Sequence, residues 1–237
     1  EFATAIRQNS SIDAQIAQAL ARFGNKQTGQ RFIAYFQAYT GTYAAPERLY
    51  ALYHMALSHP KIIGISIATR PDCLPAPVLD VIKQCQMEFP DKFVWIELGL
   101  QSVHEKTALY IRRGYPLSCF EEALETLQTM SVPVIVHVIL GLPGETRADM
   151  LATIDYLSHK NIFGIKLQLL HVLRGTDLAA EYERGVFSCL SKEAYIDLLC
   201  SCIDHLNPAI VLHRVTGDGP KDLLIAPIWS LQTVSYT

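Results

Sequence analysis

Six strand-like apolar runs, each set beside a helical pattern, constrain the fold of this 237-residue chain more than any other feature. They begin near Arg31 (RFIAYFQAY), Lys61 (KIIGISIAT), Phe93 (FVWIELGL), Val132 (VPVIVHVILGL), Phe163 (FGIKLQLLHVL) and Ala209 (AIVLHRVTG). The first five starts lie about 30 to 40 residues apart, the length of one βα unit. Helical patterns over 46–58, 76–89, 118–130, 146–159 and 191–206 fill the intervals. Pro46 and Pro75 stand where a first helical turn tolerates proline. Ser118 with Glu121 or Glu122, Thr146 with Asp149, and Ser191 ahead of Glu193 read as N-caps with acidic first turns. Strand alternating with helix predicts a parallel sheet. A barrel is favoured over an open sheet, because no GxGxxG follows the first strand and polar or glycine residues recur at nearly every strand end. One helix, Ser11 to Phe23, opens the ladder without the strand expected before it, as in a fragment.

The fourth run is the most telling segment. Val132 to Leu142 carries no formal charge and is rich in β-branched residues. It ends in Gly141-Leu142-Pro143-Gly144, ahead of Glu145 and Thr146. A short apolar run closed by turn residues reads as a strand buried on both faces. Glycines at its carboxyl end let backbone approach a ligand where α/β folds place their sites; the alternative is a tight turn and helix cap without chemistry.

Half of the residues are hydrophobic, enough for a sizeable core as one domain over 1–237, with 217–237 as a C-terminal extension. A net charge of −3 gives no footprint for bulk nucleic-acid binding, which is not favoured. No apolar stretch approaches bilayer length and the N-terminus has no signal-peptide pattern, so a cytoplasmic protein without membrane contact is expected. Six cysteines (73, 85, 119, 189, 200, 202) are scattered, with no CxxC anywhere. Packed thiols are expected in a reducing compartment.

In a parallel barrel the strand ends converge. They offer Gln37 and Thr40, Thr69 to Cys73, Glu97 to Ser102, His137 with Gly141 to Glu145, Gln168, His171 and Arg174, and His213 to Asp218. Asp72 caps a helix or pairs with Arg70. Glu97, inside an apolar run, is either ion-paired or a ligand acceptor. His137 fits a hydrogen-bonded interior histidine better than a metal ligand, since no histidine pair has zinc spacing. Arg112-Arg113-Gly114 reads as a solvated helix end, with an arginine able to reach an anion. No GxSxG elbow or P-loop is present. Acceptors, arginines and glycines together suit a polar ligand with hydroxyls, a carboxylate and a flat ring.

Thr69-Arg-Pro-Asp-Cys-Leu74, Glu97-Leu-Gly-Leu-Gln-Ser102, Arg112-Arg-Gly-Tyr115 and Ile139-Leu-Gly-Leu-Pro-Gly-Glu-Thr146 resemble, in order and spacing, motifs of radical S-adenosylmethionine (SAM) enzymes. Leu169 to Leu173, His213 to Asp218 and Leu224 to Trp229 are similar to YhcC-like members, Fe–S oxidoreductases related to oxygen-independent coproporphyrinogen III oxidase. The first motifs also resemble the Elongator catalytic subunit, which modifies tRNA.

The resemblance implies a partial (β/α)6 TIM-like barrel, here lacking its first strand and cluster loop. It implies SAM as cofactor and, in the full-length protein only, a [4Fe–4S] cluster on three cysteines, from which SAM is cleaved to a 5′-deoxyadenosyl radical. None of the six cysteines present has that cluster's spacing. An external electron donor of the flavodoxin or ferredoxin type is implied, acting with a small-molecule or still unassigned substrate. Carried over by motif position, Gln37 and Thr40 contact the methionyl part of SAM. Thr69, Glu97 and Gln101 hold ribose and carboxylate, with Arg113 near the carboxylate. Ile139, Gly141 and Leu142 face adenine, with His171 nearby. Rival readings are a tRNA-modifying radical SAM enzyme, a non-radical barrel enzyme using Glu97 and His137 as acid and base, and a cluster-free binding domain.

Overall fold

A computed structural model describes residues 11–23, 29–37, 40–217 and 219–231. In chain order the elements are α1 (Ile12–Phe23), β1 (Phe32–Phe36), α2 (Pro46–Ser58), β2 (Ile62–Thr69), α3 (Ala76–Glu88), β3 (Phe93–Gln101), α4 (Glu105–Tyr110), α5 (Leu117–Thr129) and β4 (Val134–Leu140). They continue with α6 (Arg147–Ser158), β5 (Gly164–Leu169), β6 (Val172–Leu173), α7 (Asp177–Glu183), α8 (Lys192–His205), β7 (Val211–Arg214) and β8 (Leu224–Ala226). The class is α/β, with a six-stranded sheet ordered β1-β2-β3-β4-β5-β7. Each anticipated helix is present within a residue of its expected bounds and each anticipated strand is present, but the first and last strands are shorter than their apolar runs and the fifth run divides into β5 and β6. Among the described residues no helix is long and apolar enough to cross a membrane.

Two compact units divide the chain: the described residues up to Gly99 with Ser118–Val134, and Leu100–Leu117 with the described residues from Ile135 onward. In the first, β1, β2 and β3 pair in parallel, Ile65 beside Val94 and Ala68 beside Glu97. Nearly all of β2 is buried, as a strand covered on both faces must be. Leu49, Tyr53, Ala56 and Leu57 of α2 form a buried stripe at helical spacing, and Phe120, Ala123, Leu124 and Leu127 of α5 another. Each fully buried large side chain contributes about 1.5–3 kcal/mol.

The second unit pairs β4, β5 and β7 in parallel, His137 beside Lys166 and Ile139 beside Gln168. The capping box expected at Thr146 and Asp149 forms: Thr146 Oγ1 accepts from the Asp149 amide and the Asp149 carboxylate accepts from the Thr146 amide. Ser191 caps α8 by accepting from the Ala194 amide. Ser118 departs from expectation. It lies within α5, and the orphan amide of Leu117 is met by the Glu105 carboxylate at 2.6 Å. A short antiparallel pair, β6 with β8, is covered by α7 through Val172, Ala179 and Ala226. Asp218 and residues 232–237, part of the anticipated C-terminal extension, lie outside the described residues.

Candidate functional site

In the first unit, Gln37 is exposed just past β1 and Thr40 is half-buried. Gly41 docks by backbone, its amide donating to Ala68 O at 2.8 Å while its carbonyl accepts from Tyr53 Oη at 2.7 Å. Thr69, the buried last residue of β2, lies 2.5 Å hydroxyl to hydroxyl from Thr42. Thr42 has one proton and gives it to Cys73 O at 2.6 Å, so Thr69 is the donor in the pair. That leaves the Thr69 oxygen with acceptor capacity. The adjacent Arg70 and Asp72 form a bidentate pair at 2.9 and 2.6 Å. These bonds hold the Asp72 carboxyl below its ordinary range. Of the two readings of Asp72, the pair with Arg70 holds.

Glu97 stands mid-strand in β3 and is only 3% exposed. One carboxylate oxygen accepts from Ser66 Oγ at 2.6 Å and the other from Tyr35 Oη at 2.8 Å. Neither hydroxyl was foreseen from the sequence; period-two alternation on β1 and β2 was the available signal for polar groups on one sheet face.

In the second unit, Gln101 ends β3 with a φ of 63°, which a non-glycine residue rarely adopts. The adjoining Ser102 is buried, and its hydroxyl donates to the Glu145 carboxylate, joining the QS and PGET motifs. Arg113 corrects the sequence reading of a solvated helix end. Arg112 is the exposed arginine, paired with Asp177 at 2.7 Å, whereas the Arg113 side chain is 1% exposed. Within α4 Thr107 and Ala108 are buried, whereas Leu109 and Tyr110, and Arg112 just beyond the helix, are exposed.

Gly141 follows β4 directly, with φ of 89°, and Leu142 is buried beyond it. His137 receives a bond from Gln168 Nε2 at 3.0 Å on Nδ1, which makes it a hydrogen-bonded wall histidine. Ile139, Gln168, His171, Leu173, Arg214 and the backbone at Gly217 and Gly219 line a cavity of about 280 Å³. An apolar wall beside an amide and an imidazole suits one face of a purine.

The cysteines do not suit an iron–sulfur cluster. Among the described residues no three of His, Cys, Asp or Glu gather in metal-binding geometry. Cys85 and Cys202 are buried, and burial pushes each thiol up to about 11, whereas Cys200 is exposed. Native-state alkylation followed by mass spectrometry is therefore expected to modify Cys200 first and to spare Cys85 and Cys202 until the chain unfolds. Early labelling of Cys202 would contradict this placement.

Residues 5–157 match the family model of the Radical SAM superfamily, and residues 162–236 that of the Radical_SAM C-terminal domain. The uncharacterized protein YtqA of Bacillus subtilis is 40% identical over 210 residues, covering 89% of this chain and 64% of that protein. Protein YhcC of Escherichia coli K12 is 36% identical over 228 residues, covering 96% of this chain and 72% of YhcC. The chain thus spans about two thirds of the length of these relatives. Among solved structures, Elp3 of the archaeon Methanocaldococcus infernus, with its N-terminus deleted, superposes with a TM-score of 0.74 at 17% identity, over 90% of this chain and 54% of Elp3. That likeness concerns the partial-barrel fold. By its motifs, its strand order and both family matches, this chain belongs to the radical SAM superfamily, among the YhcC-type proteins.

Proposed function

We propose that this chain is the SAM-binding domain of a radical SAM enzyme. One observation carries the reading: three motif residues stand at the carboxyl ends of successive strands, Thr69 ending β2, Gln101 ending β3 and Gly141 just past β4. Barrel enzymes place their ligands at such ends. In this reading Gln37 and Thr40 meet the methionyl part, and Thr69, Glu97 and Gln101 the ribose and carboxylate. Ile139, Gly141, Leu142 and His171 meet the adenine. Hydroxyl and carboxylate acceptors match ribose hydroxyls, and a glycine backbone can approach a flat ring.

SAM, when bound, supplies a sulfonium whose reductive cleavage is the source of adenosyl-radical chemistry in the superfamily. The described residues do not fit the cluster that delivers the electron. The chain's own contribution is binding and orientation. Thr69, whose hydroxyl proton has Thr42 Oγ1 at 2.5 Å and Arg70 O at 3.3 Å as acceptors, keeps an oxygen lone pair for a ligand hydroxyl.

Calorimetric titration of SAM into the purified chain tests the reading. Saturable binding is expected, with adenosine competing and Thr69→Val weakening SAM several-fold, the loss of about one hydrogen bond. No saturable heat at millimolar SAM would overturn it.

A further inference from the structure

The guanidinium of Arg113 is sealed inside the second unit and aimed at backbone. Its Nη1 donates to Leu100 O at 3.2 Å and to Ser102 O at 2.7 Å. Its Nε donates to Tyr115 O at 2.9 Å, and Nη2 to Glu105 at 3.3 Å. Four of the five guanidinium N–H groups are thereby spent on neighbouring chain. The two carbonyls held by Nη1 flank Gln101 on either side. Between them the Ser102 amide donates to Leu100 O at 2.8 Å, closing a γ-turn centred on Gln101 at its φ of 63°. Such a turn is strained and persists only where its surroundings over-determine it. Tyr115, whose ring lies 5.1 Å from the guanidinium carbon, donates from its hydroxyl to Gln101 Oε1 at 3.3 Å.

We infer that Arg113 is a positioning residue: its guanidinium clamps the carbonyls of Leu100 and Ser102, forces Gln101 into the γ-turn, and so presents the Gln101 amide to the ribose of SAM, while Arg113 makes no contact with the ligand. This gives Arg113 a role different from the carboxylate contact its motif position implies. It rests on Gln101 being a SAM contact, as proposed above. Burial decides between the two roles: the guanidinium is 1% exposed and the carboxylate it meets is that of Glu105 at 3.3 Å, which a ligand carboxylate would have to displace. A lysine at this position keeps the charge but has one nitrogen in place of three, so it loses the Nε bond to Tyr115 O and the Nη2 bond to Glu105 that fix Nη1 against the two carbonyls.

The test compares SAM with decarboxylated SAM on the full chain, with Arg113→Lys, Gln101→Ala and the double variant. Arg113→Lys is expected to weaken both ligands by the same factor, about tenfold, and to have no further effect in the Gln101→Ala background. A loss confined to SAM, with decarboxylated SAM unaffected, would mean direct carboxylate contact and would overturn the inference. Amide hydrogen exchange gives a readout that needs no ligand. Exchange at Ser102 should accelerate about tenfold or more in Arg113→Lys while the Met150 amide in α6 keeps its rate; an unchanged Ser102 rate would overturn the clamp. If Arg113→Lys does not fold, Tyr115→Phe keeps the ring and removes only the hydroxyl, and should weaken both ligands equally, about threefold; unchanged affinity would count against the inference. Failure of the unaltered chain to bind SAM would instead sink the cofactor reading, and Ser102 exchange would still decide whether Arg113 sets the turn.

Discussion

Replacing Glu97 by alanine is expected to cost about 3–5 kcal/mol of stability, whereas Glu97→Gln should cost only about 1–2 kcal/mol. The carboxylate is 3% exposed and takes one hydroxyl on each oxygen, Ser66 at 2.6 Å and Tyr35 at 2.8 Å. Alanine removes both acceptors at once. It strands the buried Ser66 hydroxyl and opens a void where four heavy side-chain atoms had packed. Glutamine keeps one carbonyl oxygen for one hydroxyl, and the other hydroxyl can turn to accept from its amide. Urea unfolding of the two variants checks the ordering. A double-mutant cycle with Ser66→Ala should show coupling of at least about 1 kcal/mol. Were Glu97 only a ligand acceptor, alanine would leave stability within about 1 kcal/mol and abolish SAM binding alone; that pattern would refute the structural role.

The same residue shows where the sequence was legible and where it stopped. A buried acid in an apolar strand announces that it has partners, but Tyr35 and Ser66 lie 62 and 31 residues away along the chain. Only the parallel register of β1, β2 and β3 brings them together. The strands themselves were legible because both-face burial writes an unbroken apolar run, as in β2, and the long helices because a buried stripe repeats every turn, as in α2. Shorter elements were not. Six residues of α4 and seven of α7 are too few to display that period, and β8 exists through its pairing with β6. Arg113 was read as solvated for a related reason. An Arg-Arg-Gly end looks like a surface until the carbonyls of Leu100 and Ser102, set by a different stretch of chain, are seen to take up the second arginine.

Gly141→Val should be the more damaging of the two glycine substitutions in the Gly141–Thr146 segment, at about 3–4 kcal/mol, against about 1 kcal/mol for Gly144→Ala. Both positions have positive φ, 89° and 82°, so any L side chain there meets left-handed strain of about 1–2 kcal/mol. Their surroundings differ. A Cβ at Gly144 meets nothing within 4 Å, so strain is its whole cost. A Cβ at Gly141 would lie 3.2 Å from Leu190 Cδ1, and valine would add two further methyls against a side chain already in contact. Overpacking of this kind adds about 1–3 kcal/mol. The Gly141 amide also donates to Met150 Sδ at 3.1 Å, a bond that a displaced backbone would lose. Thermal unfolding should place the Gly141→Val midpoint roughly 10 °C below the unaltered chain and the Gly144→Ala midpoint within about 4 °C of it. SAM affinity then separates packing from recognition. With the variants held cold enough to stay folded, Gly141→Val should weaken SAM more than tenfold and Gly144→Ala should leave it unchanged, because only the first intrudes on the wall assigned to adenine. Equal losses at the two glycines would show that strain in the segment, and no adenine contact at Gly141, governs binding.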